Sequence, residues 1–313
     1  MKKRNLSAKK KIHNFYLKNL NNPKIKKIYS QFKKSLDNQN IKSLGIAISG
    51  GPDSLALAFL AKCYSIQKNK KYLYFIVDHK LRKESTKEAK LTKKNLKTYG
   101  INCEILIWDK KKLVSNLQST ARENRYRLIF NKCSEKKINL ILTAHHKDDL
   151  YENFFIRLLR GSGLKGLSSF SSLKTKINKE KDIFVFRPLL NISKNDLVYI
   201  AKKTFNFFIK DPSNEDDKFL RIKIRKLINQ LTQNGLDFKK FKLTLENLYK
   251  SNQTIEFYVK KNIKDNSIFL NQKKSIILSE NFLNQPDEII FRSFSELIHK
   301  LGNKKKYTRG SKI

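Results

Sequence analysis

The chain has 313 residues, of which 39% are hydrophobic, including 21 Phe; that is enough for one large domain and a smaller one, and too apolar for a disordered tail. Lys and Arg number 68 against 27 Asp and Glu, giving +41, so the body repels itself unless a polyanion meets it, and nucleic acid is the expected partner. AT-rich codon drift explains the preference for Lys over Arg but not the deficit of acids.

No apolar run approaches the ~20 residues that span a bilayer. The basic N-terminus lacks the apolar stretch of a secretory signal. Cys63, Cys103 and Cys133 form neither a C-x-x-C pair nor a zinc-spaced cluster. The expected location is the cytoplasm.

Residues 1–43 carry thirteen Lys and Arg and a single acid, Asp37, with apolar residues at loose helical spacing, which predicts a basic helical arm. From Leu44 the pattern alternates. Residues 44–48, 72–79, 101–108, 138–145 and 182–188 read as strands, with helical segments between them. Such alternation specifies an α/β fold around a mainly parallel sheet, whose ligands bind beyond the carboxyl ends of the strands. SGGPDS (49–54), DHKLR (78–82), AHHKDD (144–149) and RPLL (187–190) all follow predicted strands directly. Beyond DPSNEDDKFLRIKIR (211–225) the chain reads as helical and charged, with a short strand pair near 267–280 and a last helix from Asp287. The expected domains are 1–43, 44–212 and a small, mostly helical basic domain over 213–313.

In SGGPDS, Gly50 and Gly51 let successive amides converge, and Pro52, Asp53 and Ser54 read as the first turn of a helix, so the turn is an anion site. It lacks the Lys of a Walker A loop. It suits pyrophosphate released from ATP, with Mg²⁺ offsetting the charge, and hence cleavage between the α- and β-phosphorus. In HHKDDLYEN, Asp149 and Glu152 are three apart on one helical face. They could hold a substrate ammonium and accept its proton, ligate Mg²⁺, or, as Asp148 does, stabilise a helix N-terminus. His145 and His146 read as phosphate contacts or strand-end hydrogen bonds. Arg122, Arg125, Arg221 and Arg225 lie on helical segments, and Arg160 and Lys165 in a glycine-rich stretch, as contacts for phosphate or RNA or as solvated cations.

SGGPDS resembles the PP-loop of the N-type ATP pyrophosphatases. Together with VDHKLRKES, ARENRYRL, TAHHKDDLYENFFIRLLRGSGLKGL, RPLL and DPSNEDDKFLRIKIR, it is similar to the tRNA(Ile)-lysidine synthetases of that family, in the same order over residues 44–225. Lys80 stands where the family has Gly, and Ile222 where it has Asn. The resemblance implies a five-stranded, mainly parallel sheet of adenine nucleotide alpha hydrolase type, with the basic arm and the small C-terminal domain attached. It implies that ATP, with Mg²⁺, adenylates the wobble cytidine of a CAU anticodon in isoleucine tRNA, and that free L-lysine then displaces AMP. Ser49, Gly50, Gly51, Pro52, Asp53, Ser54, Asp78, His79 and His145 would contact ATP, Asp53 would also take Mg²⁺, and Asp53, Asp149 and Glu152 would be catalytic, the last two on lysine. Arg122, Arg125, Arg160, Lys165, Arg221 and Arg225 would meet tRNA or phosphate. A homodimer is compatible with the pattern. The alternatives are a tRNA thiolation enzyme, whose chemistry needs cysteines in the site, and a non-catalytic RNA-binding protein.

Overall fold

A computed structural model describes residues 2–39, 41, 43–108, 117–170, 174–178, 182–209, 220–270 and 275–302. The chain runs α1 (Lys2–Leu20), α2 (Pro23–Asp37), β1 (Leu44–Ile48), α3 (Pro52–Gln67), β2 (Leu73–Asp78), α4 (Ser85–Thr98), β3 (Cys103–Ile107), α5 (Leu117–Glu135), β4 (Leu140–Leu142) and α6 (Lys147–Leu158). It continues through α7 (Leu164–Ser168), β5 (Lys174–Asn178), β6 (Ile183–Phe186), α8 (Lys194–Thr204), α9 (Leu220–Gln233), α10 (Phe238–Asn266), β7 (Ser267–Leu270), β8 (Ser275–Leu278) and α11 (Asp287–Leu301). Two compact units result: residues 1–156 with 172–229, and residues 157–171 with 230–313.

The first unit holds a sheet of order β3-β2-β1-β4-β6-β5, parallel except for β5. The sequence led us to expect five strands, and the sixth is this edge strand. Its KTKIN sequence has no apolar run to signal it; it is held by backbone pairing to β6, and Lys174 and Lys176 are exposed, as suits a sheet edge. Apart from Asp78 at the end of β2, the inner strands are apolar because both their faces are covered. Leu44, Ile46, Tyr74, Ile76, Leu140 and Leu142 face one core cluster, and Phe75 and Ile141, from alternate positions, face the other with Ile129, Cys133 and Val185. At Gly45 a Cβ would lie 3.0 Å from the Phe75 ring.

The N-terminal residues, expected as an arm, belong to this unit's core. Tyr16, Ile25, Phe32 and Leu36 are fully buried, and Tyr16 Oη donates to the Tyr99 carbonyl at 2.8 Å. The loose apolar spacing read from the sequence is therefore the packed side of two helices whose other faces carry the charge. Asn22 caps α2 by accepting from Ile25 N, with Pro23 in the first turn. The expected boundary at 212/213 also differs from the structure: α9 buries Ile222, Ile224 and Ile228, and the first unit extends to Asn229. Within the second unit, Val259, Ile263, Phe282, Ile289 and Leu297 form a separate core beneath the β7–β8 pair.

Strand order places the site. The chain builds outward from β1 to β2 and β3, then returns to put β4 on the other flank of β1. The loops after β1 and β4 consequently diverge, and a crevice opens between them at the carboxyl ends of the strands.

Candidate active site

Three residues, Ser49–Gly51, link β1 to α3, and Pro52–Ser54 form the first turn of that helix. Gly50 has φ +87, and a Cβ there would stand 2.8 Å from Thr92 Oγ1, so both conformation and space demand glycine. Ser54 Oγ accepts from the amides of Ser49 and Gly50, each at 3.1 Å, and donates to the Gly51 carbonyl at 2.9 Å. Ile209 N donates to the Gly50 carbonyl at 2.9 Å. The first intrahelical bond of α3 is Leu55 N to Gly51 O, and no side chain caps the helix. The amides of Gly51, Asp53 and Ser54 precede that bond and are the donors a phosphate would take. Asp53 Oδ1 is buried without a hydrogen-bond partner.

Across the crevice, His146 precedes α6 and pairs in parallel register with Leu189. Its ring is buried among three carboxylates. Nε2 lies 3.6 Å from Asp53 Oδ2 and 3.7 Å from Asp149 Oδ2, and Nδ1 lies 3.7 Å from Asp148 Oδ2. The Asp148 amide donates to Nδ1 at 3.3 Å, which puts the proton of the neutral ring on Nε2, toward Asp53 and Asp149. Burial alone would lower the ring's pKa; Asp53, then Asp149 and Asp148, outweigh it and raise the pKa above the ordinary histidine value. Asp149 Oδ2 accepts from His146 N at 2.9 Å, closing the first turn of α6 as the acid of a capping box does. Its carboxyl is pushed up, first by burial and then by the charges of Glu152 and Asp53, against the opposing pull of His146.

Glu152, one turn on, is buried, and Oε1 accepts from Arg225 Nε of α9 at 2.5 Å, while Oε2 stands 3.5 Å from Nη2. The acid expected on lysine and the cation expected on tRNA or phosphate are thus joined to each other. Asp78, expected on ATP, is buried and accepts from Lys80 N at 3.0 Å, Ser85 Oγ at 2.9 Å and Thr86 Oγ1 at 2.6 Å. Burial would raise its pKa, but these donors hold it below the usual carboxylate value. His79 Nε2 accepts from Arg125 Nε at 3.0 Å; burial, then the Arg125 charge, lowers its pKa to about 4. His145, expected on ATP, has Nδ1 2.9 Å from Thr143 Oγ1.

Arg221 is exposed on α9, and Arg160 and Lys165 are exposed residues of the second unit. Arg122 sits on α5 with its side chain outside the described residues, as is the 210–219 run. The sequence offers both His145 and His146, and the resemblance puts only His145 on ATP, whereas His146 is the one that faces Asp53 and Asp149. The signal was the H-x-x-D spacing, which marks His146 as the residue whose amide Asp149 caps.

The orphaned Asp53 Oδ1 is a hard oxygen ligand of the kind Mg²⁺ takes together with phosphate oxygens, so the residues fit that ion. Among the described residues, no group of three or more His, Cys, Asp or Glu side chains could hold a metal ion. No helix among the described residues is long and apolar enough to cross a membrane.

A glycine-bearing phosphate loop after the first strand, at the switch point of a parallel sheet, defines a nucleotide-binding α/β protein. Residues 23–232 match the sequence profile of the PP-loop domain, and the chain belongs to that family. It is 40% identical over 188 residues to a tRNA(Ile)-lysidine synthase of Orientia tsutsugamushi, a match covering 60% of this chain and 42% of the relative. A tRNA(Ile)-lysidine synthase of Bradyrhizobium diazoefficiens is 35% identical over 216 residues, covering 68% and 59%. These matches therefore span less than two thirds of the relatives' own length. Among solved structures, the U34-tRNA thiolase NcsA of Methanococcus maripaludis superposes with a TM-score of 0.62 at 20% identity, over 72% of this chain and 79% of the thiolase. That likeness speaks to the fold.

Proposed function

We propose that the chain ligates lysine to C2 of the wobble cytidine in the CAU anticodon of isoleucine tRNA, at the expense of ATP. The observation that carries this reading is the meeting, at the β1/β4 switch point, of the Ser49–Ser54 loop and its unpartnered Asp53 oxygen with the acids around His146. The names of the lysidine synthase relatives supply the substrate class.

Cytidine O2 attacks the α-phosphorus, the bond between the α-phosphorus and the bridging oxygen breaks, and pyrophosphate leaves. The amides of Gly51, Asp53 and Ser54 receive the charge developing on it. Mg²⁺ held by Asp53 would supply further neutralisation of the phosphates. The lysine ε-amine then attacks C2, the C2–O2 bond breaks, and AMP departs with that oxygen. Asp149 holds the incoming ammonium, which must lose a proton to become a nucleophile. Asp149 is the better acceptor, because burial pushes its carboxyl up, whereas Glu152 is fixed by Arg225. The target base must be unstacked to present its edge, which an anticodon loop permits.

A thiolation chemistry would need an accessible thiol. Cys63, Cys103 and Cys133 are all buried, and burial pushes each thiol up, Cys103 and Cys133 to about 12.

The test is incorporation of radiolabelled lysine into bulk tRNA. We expect label in one isoleucine tRNA that depends on ATP and is lost in Asp53→Ala. Absence of label in the intact protein, with lysine and ATP saturating, overturns the reading.

A further inference from the structure

Most of the excess positive charge is spread over the surface, but α4 orders it. Ala89, Thr92 and Leu96 are buried on one side of this helix. Lys87, Lys90 and Lys94 recur at three- and four-residue intervals on the opposite side, and Lys83, in the turn just before the helix, continues the row. The row rises ~16 Å along the axis. It flanks an open groove of about 510 Å³ whose lining also includes Thr86 and the exposed Leu91.

On α10 and α11, by contrast, several cations have an acid one turn away. On α11, Glu288 pairs with Arg292 at 2.6 Å and Glu296 with Lys300 at 3.1 Å; on α10, Glu246 pairs with Lys242 at 3.5 Å. The α4 row shows no such pair among the described residues. Its two neighbouring acids stand aside: Glu88 is taken by Arg82 at 3.0 Å, and Glu84 precedes the helix. Like charges at these spacings repel where opposite charges would attract. A solvated face gains nothing from that arrangement; a ladder of phosphates does.

The inner side of the same helix reaches the nucleotide loop, since Thr92 Oγ1 lies 2.8 Å from where a Cβ of Gly50 would be. A strand lying on the lysine row would be one helix diameter from the loop. We infer that the Lys83–Lys87–Lys90–Lys94 face of α4 is a track for the sugar–phosphate backbone of the RNA substrate. The inference rests on the proposed RNA reaction and names the surface it uses. The linear row does not converge on one point, which disfavours a small anion. With Leu91 as its one exposed apolar residue, it lacks the apolar face of a membrane-surface helix.

The test replaces all four lysines with Gln and measures binding of bulk tRNA across a salt series. Each lost phosphate contact removes ~0.7–0.9 from the log–log salt slope, so the slope should fall by about 3, with affinity down roughly 10–100-fold at moderate salt. ATP–pyrophosphate exchange at saturating tRNA should survive, because none of the four is placed in the active site. A control with Lys242→Gln and Lys300→Gln, both already paired, should change the slope by less than ~1. If the quadruple variant keeps the affinity and slope of the intact chain, the track is wrong while the proposed reaction stands. If the intact chain binds no tRNA, both fail. If it binds only acidic protein through these lysines, the row is a protein contact and the inference falls.

Discussion

Two strand-to-helix turns stand side by side at the carboxyl ends of β1 and β2, and each carries an aspartate expected on the nucleotide. Asp78 is saturated, with Lys80 N, Ser85 Oγ and Thr86 Oγ1 all donating to it. Asp53 keeps Oδ1 buried without a donor, an arrangement that costs on the order of 1–3 kcal/mol if nothing ever binds there. One carboxylate completes its own turn; the other keeps the oxygen that the proposed reaction would use. Both acids lie at the carboxyl-end edge of the sheet, Asp78 closing β2 and Asp53 opening α3, and the hydrogen-bond inventory is what separates them.

The largest expected effect comes from Asp53→Ala. Lysine transfer into tRNA should fall roughly 10²–10³-fold, equivalent to about 3–4 kcal/mol of lost transition-state stabilisation. The fluorescence of Trp108, the chain's one tryptophan and a buried reporter of the first unit, should show an unchanged urea midpoint. A large drop in that midpoint would make Asp53 a structural acid like Asp78.

Glu152 sits on the structural side of the comparison through Arg225. Arg225→Gln leaves a buried carboxylate without its cation, and about 3 kcal/mol of stability should be lost by urea unfolding. Glu152→Gln in that background should recover most of the loss, since the uncompensated charge disappears. If the double variant is no more stable than the single one, charge is not what Arg225 balances.

Asp78→Asn should cost about 2 kcal/mol, because the donors lose a charged acceptor. Its pH dependence follows from the depressed pKa. A carboxylate held below its unfolded value of ~3.9 contributes stability above that pH, and the contribution is lost as pH falls through the folded pKa. The difference between the parent and Asp78→Asn should accordingly be constant from neutral pH to about pH 5 and shrink below pH 4.

Much of this was legible in the sequence. The apolar runs at Leu44–Ile48 and Leu73–Asp78 announce strands buried on both faces, and the glycines after Ile48 announce the phosphate turn. β5 was invisible because KTKIN pairs through its backbone and carries polar side chains. In the N-terminal helices the apolar spacing is visible among thirteen cations, but not what it packs against, and Tyr16, Ile25, Phe32 and Leu36 are buried in the first unit's core. In the site, residue types gave the acids, but not which acid already has a partner: nothing in the spacing of Glu152 and Arg225, 73 residues apart, says that they meet.

Lys80 sharpens the comparison most finely. It occupies the turn that Asp78 closes, at the position where the resembled family has glycine, and its φ is +46. The left-handed region costs a side-chain-bearing residue ~1–2 kcal/mol, part of which glycine gives back through its freer unfolded chain. Lys80→Gly should therefore stabilise the first unit by about 0.5–1 kcal/mol in urea unfolding, whereas Lys80→Ala, strained in the same way as Lys, should not. A gain from both substitutions would trace the effect to removal of a positive charge from a crowded basic surface. A gain from glycine alone would trace it to the backbone, and would mean that the three bonds to Asp78 hold the turn closed against the conformational preference of its own residue.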